Sequence, residues 1–125
     1  MTKWMLLAGS LCCASAILIG AFGAHALKPI LTEQGKGWLD TGVFYQMSHG
    51  LALLACGLLP TKTQSIAASF FIAGILLFSG SLYCMAITGN TQLGIITPIG
   101  GVCFLVGWGL FCLSVWRMPA SRYLP

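Results

Sequence analysis

The chain has 125 residues, of which 58% are hydrophobic and only 6% charged, where an average soluble domain has roughly 25% charged. Eight charged side chains cannot clothe a water-soluble domain of this size, so the composition excludes one and points to lipid as the solvent. The net charge of +4 comes from six scattered basic residues with no run among them, which leaves a nucleic-acid partner without a footing.

A hydrocarbon core about 30 Å thick needs about 20 apolar residues of helix to cross it. Four segments meet that length: 4–27, 42–59, 65–87 and 98–116. The expected fold is therefore an all-α integral membrane protein, one domain over residues 1–125 with four transmembrane helices. The first segment follows Lys3 and opens Trp4-Met5-Leu6-Leu7, which resembles a signal peptide. It runs to Leu27 without a charge, whereas a secretory apolar region usually spans about 7–15 residues. Leu11 before Cys12 does not suit a lipoprotein site. The segment reads as a retained first span.

Ala8, Cys12, Ala16, Gly20 and Ala24 recur every four residues along this span. They draw a small-residue stripe on which another helix can pack closely, the main route to helix association in lipid. Pro29 follows the span. In segment 28–41, Leu27, Ile30, Leu31, Trp38 and Leu39 can gather on one side of a helix, with Lys28, Glu33, Lys36 and Asp40 elsewhere. The expectation is a short amphipathic helix lying in the outer interface. Gly35 and Gly37 weigh against it, and the alternative is an irregular loop anchored by Trp38.

The second span, 42–59, is the shortest and is expected to stand nearly upright; Pro60 ends it. It carries Tyr45, Gln46 and His49, the first and last sharing a helix face. The third span, 65–87, carries Ser79, Ser81 and Tyr83, with Asn90, Thr91 and Gln92 marking the turn after it. Thr97-Pro98 reads as an N-cap and first-turn pair opening the fourth. Both termini share a side with four basic residues, Lys3, Lys62, Arg117 and Arg122, while the other side has Lys28 and Lys36 beside Glu33 and Asp40. The positive-inside rule places both termini in the cytoplasm.

At about 1.5 Å per residue, His49 and Ser79 fall about 10–12 Å below the outer boundary, with Tyr45, Tyr83 and His25 shallower. The scarce polar side chains thus collect toward one leaflet. Two readings follow. In one, His49, Tyr45, Gln46, Ser79, Tyr83, His25 and Ser81 form a small outward-opening polar site, because an ionisable residue in a span is a functional hypothesis by default. In the other, a neutral His49 bonds Tyr83 or Ser79 and holds helices together. No HxxxH and no CxxC is present, and Met47 points away from His49, so no metal or haem ligand set is expected. The six cysteines read as packing residues, with Cys84 and Cys103 the pair placed to meet. No carboxylate lies within a span and no nucleophile motif is present, so no enzymatic activity and no cofactor are expected.

Taken together, GAFGAHALK at 20–28, YQMSHGLALL at 45–54, LFSGSLYCMAITG at 77–89 and ITPIGGVCFLVGW at 96–108 resemble the YgdD/YwdK-type family, small bacterial inner-membrane proteins classed as a domain of unknown function. The resemblance spans nearly the whole chain and implies a four-helix inner-membrane protein. It carries over no activity, substrate, cofactor or catalytic residue. The family has alanine after the second histidine, where this chain has Gly50, a minor change of packing. The leading expectation is a non-enzymatic accessory or assembly partner, or a small homo-oligomer, in the lipid bilayer. The alternative is a binding or transport protein for a small ligand around His49, and a third is a haem or metal carrier.

Overall fold

A computed structural model describes residues 2–59 and 61–122. Within them the chain is all helix, without a strand. Four long helices follow one another: α1 Lys3–Ala24, α2 Glu33–Leu58, α3 Lys62–Thr88 and α4 Ile96–Trp116. A 3₁₀ turn, Thr91–Ile95, leads into α4, and another, Ala120–Arg122, follows it. The helices α1 and α3, and α4 together with its lead-in, are long and apolar enough to cross a membrane. In α2 the charged and polar side chains of Glu33, Lys36, Asp40, Gln46 and His49 dilute the apolar run.

Several boundaries differ from expectation. The first helix stops at Ala24 rather than Leu27, with the His25 N–H closing on the Ala21 carbonyl at 3.1 Å. Segment 28–41 is neither a separate interfacial helix nor an irregular loop: from Glu33 onward it is the beginning of α2. The Thr32 hydroxyl caps it by accepting the Gly35 N–H at 2.9 Å, and Glu33 in the first turn complements the helix dipole. A Cβ at Gly35 would lie 3.2 Å from the Ala86 carbonyl oxygen, so the glycine that lowers helix propensity lets α2 press against the end of α3. The second helix has 26 residues, about 39 Å of rise, and begins at Glu33, ahead of the span expected at 42–59. Pro60 lies outside the described residues.

The third helix covers 65–87, runs past it at both ends, and is interrupted by a π-helical turn at Ile75–Ser79. It ends at Gly89, the only described residue with positive φ, whose N–H reaches the Met85 carbonyl at 2.8 Å. The fourth helix begins at Ile96, so Thr97 and Pro98 fall inside its first turn instead of opening it. Proline is tolerated there because first-turn N–H groups have no intrahelical acceptor.

In backbone packing α1 lies on α2, α2 on α3 and α3 on α4. The core gathers Met5, Ala52, Leu53, Cys56, Ala67, Ala68, Phe71, Ile75 and Phe104. Large apolar side chains such as Leu11, Leu18, Leu76 and Leu105 face outward, as lipid permits. On α1 the buried positions are Met5, Gly9, Ala16 and Gly23. Of the four-residue stripe, Ala16 is fully buried, Ala8 and Cys12 pack on the core, and Gly20 faces Val43. Ala24 is exposed and outside the seam.

Candidate functional site

His49 is nearly completely buried, and its hydrogen bonds fix its chemistry. Its Nδ1 lies 2.8 Å from the Tyr45 carbonyl oxygen, which can only accept, so Nδ1 carries the hydrogen. The Trp108 indole N–H, which can only donate, points at Nε2 from 3.1 Å. Both nitrogens of a neutral imidazole are thereby engaged, one within α2 and one across to α4. The ring stacks on Phe104 with centroids 3.6 Å apart at 12°, and Phe71 and Tyr45 close around it at 5.6 and 6.0 Å. A ligand or metal reaching Nε2 has to displace Trp108.

The other polar side chains bond in a second layer facing α1. The Gln46 Nε2 donates to the Cys12 carbonyl at 2.9 Å and to the Ser15 hydroxyl at 2.7 Å. Its Oε1 accepts the Tyr83 hydroxyl at 2.7 Å. One side-chain amide thus ties α1, α2 and α3. Beside it the fully buried Ser79 donates to the Gly42 carbonyl at 2.7 Å. The π turn delivers this contact: it carries Ser79 to α2 and sets Phe78 4.4 Å from the Tyr45 ring. Such turns re-aim side chains where a regular helix would not.

The expected residues are therefore present but bond in other pairs. His49 meets neither Tyr83 nor Ser79; its partner is Trp108. The Tyr45 ring joins the aromatic group, while its hydroxyl has no hydrogen bond among the described residues. Ser81 turns toward α4, donating to the Phe78 carbonyl at 2.8 Å and meeting the Thr97 hydroxyl at 2.6 Å. His25 is exposed in the turn after α1, apart from the cluster. Cys84 is exposed and Cys103 half-buried, both as free thiols. Among the described residues no group of three His, Cys, Asp or Glu is placed to hold a metal ion.

Trp108, Phe104 and Ser15 escaped the sequence reading, which took Thr97 only as a helix cap. The signal for Trp108 was its depth. It stands eight residues before Trp116, about 12 Å inward, too far from the interface for the aromatic belt to explain it. What opens laterally near the cluster is apolar: a cleft of about 310 Å³ lined by residues including Leu18, Phe22, Leu39 and Tyr83.

Comparison with known proteins accords with this anatomy. The family model described as "Protein of unknown function (DUF423)" matches residues 19–101. The chain belongs to this family. It is 36% identical over 121 residues to the UPF0382 inner membrane protein YgdD of Escherichia coli (strain K12), covering 94% of this chain and 92% of that one. It is 45% identical over 95 residues to a UPF0382 membrane protein of Haemophilus influenzae, covering 74% and 77%. A UPF0382 membrane protein of Staphylococcus epidermidis is 42% identical over 109 residues, covering 85% and 89%. No solved structure matches. With relatives named inner-membrane proteins and helices long enough to span, the chain is a multi-pass inner-membrane protein.

Proposed function

We propose that the protein crosses the membrane four times with both termini in the cytoplasm. It serves, without an activity of its own, as an assembly or accessory partner that associates laterally with other membrane helices or with its own copies. The observation that carries this reading is how fully four side chains of the polar cluster are used; the buried Gln64 amide, away from it on α3, has no hydrogen-bond partner among the described residues. Gln46, Tyr83 and Ser79 bond across to neighbouring helices, and His49 bonds the Tyr45 carbonyl within α2 and Trp108 on α4. None is left presenting an open polar surface to a transported ligand. What remains for recognition is the apolar flank, with Leu7, Leu11 and Leu18 outward on α1 and Val102 and Leu105 outward on α4. In lipid such flanks pair through packing rather than hydrophobic drive. The fourth crossing, α2, is supported by its length and by polar side chains turned inward to partners, as a spanning helix requires.

Purification from native membranes in a mild detergent, followed by native mass spectrometry, tests the reading. A discrete oligomer or a stoichiometric membrane partner is expected. A strictly monomeric, unaccompanied protein overturns it.

A further inference from the structure

Where α3 begins and α4 ends, an open cavity of about 160 Å³ lies between them, lined by Thr61, Thr63, Ser114, Arg117, Met118 and Pro119. Its side-chain hydrogen-bonding groups offer donors. The Thr61 and Ser114 hydroxyls lie 2.9 Å apart. That bond uses one of their two hydrogens, and Thr61 Oγ1 also accepts the Gln64 N–H at 3.1 Å. One hydroxyl hydrogen of the pair therefore has no acceptor between them. The Thr63 hydroxyl is unbonded among the described residues, and the Arg117 guanidinium has no ion pair among them. Nor can a side-chain carboxylate reach it. The chain's two acidic residues, Glu33 and Asp40, sit at the start of α2, and Asp40 is 18 residues, about 27 Å, from the end of that helix at Leu58.

A cavity that sets hydroxyl donors beside a guanidinium, with no carboxylate among its described lining residues, suits a tetrahedral oxyanion. Trp116, which precedes Arg117 in the chain, is 86% exposed and suits the headgroup level. We infer that this cavity binds a phosphate group, carried by an anionic phospholipid headgroup or free in solution as inorganic phosphate. The inference rests on the proposed topology only for which leaflet supplies the lipid.

The test uses full-length protein in neutral detergent, with phosphatidylglycerol, diacylglycerol and inorganic phosphate as separate probes in native mass spectrometry. Wild-type protein is expected to retain phosphatidylglycerol or phosphate but not diacylglycerol. Arg117→Gln should lower occupancy about tenfold, as loss of a charge-assisted contact implies, and Thr63→Val should lower it less. Lys3→Gln makes the same charge change outside the cavity and should leave occupancy unchanged. Retention of phosphatidylglycerol that millimolar phosphate does not displace identifies the lipid headgroup; displacement identifies the free anion. Retention of neither probe, equal retention of diacylglycerol, or equal loss in Lys3→Gln and Arg117→Gln overturns the inference. The same spectra report oligomeric state, so failure of this site and failure of the assembly reading are seen separately.

Discussion

Trp108 reaches His49 from another helix with a single N–H, and the imidazole nitrogen it meets is buried. Replacing Trp108 with Phe keeps an aromatic ring and removes the donor, leaving that nitrogen unpaired. The expected loss is about 1–2 kcal/mol, the cost of a buried acceptor without a partner, and it is measured by thermal unfolding in detergent. His49→Leu together with Trp108→Phe should cost less than the sum of the two single changes, because no orphan remains. Strict additivity would count against the pairing. Tyr83→Phe should behave like Trp108→Phe, since it strips the donor from Gln46 Oε1. At this scale the sequence showed which residues are polar and in which half they lie. It could not show their pairing, because Gln46 and His49, three apart on one helix, serve opposite neighbours.

The helices meet most closely at glycines, and the positions differ sharply in what they tolerate. A Cβ at Gly9 would come within 2.8 Å of the Gly50 carbonyl oxygen, and one at Gly100 would run into the Phe78 backbone. At Gly109 it would meet nothing within 4 Å. Gly9→Ala and Gly100→Ala should each destabilise by about 1–3 kcal/mol, as overpacking does. Gly109→Ala should be neutral or slightly stabilising, since alanine is the better helix former. A denaturant series that ranks the three alike would contradict the packing. Gly50 belongs to the first group: a Cβ there would lie 2.8 Å from the Cys13 sulfur. An alanine at this place, which the family resemblance implies, would also lie 3.2 Å from the Cys12 Cβ and the Cys13 backbone nitrogen, so the Cys13 sulfur has to move and α1 has to give slightly. The stripe of small residues on α1 was visible in its spacing. The seam nevertheless runs through Gly9, Ala16 and Gly23, rotated from the expected line, because the position of α2 selects which side of α1 is covered.

For the whole molecule, the charge distribution makes the topology testable. A fluorescent protein fused at the C-terminus should fluoresce and a periplasmic phosphatase at the same point should be inactive. The opposite pair of results would invert the orientation. The fusion of segment 28–41 into α2 means that the charged residues Glu33, Lys36 and Asp40 ride on the end of that helix, all of them exposed. A reporter inserted after Gly37, where a Cβ would meet nothing within 4 Å, should report the side opposite to the C-terminus.

Composition determined that this chain lives in lipid and that its structure is helical, and the order of its apolar runs determined where most of its long apolar helices lie. The reason is that a backbone in hydrocarbon must satisfy its own hydrogen bonds, so length and apolarity leave few choices. Tertiary structure decided the partner of each polar side chain, the π turn that brings Ser79 to Gly42, and the indole that meets His49. Those depend on the rotation of one helix against another, which is set by the packing of several helices at once and is not encoded in the periodicity of any single helix.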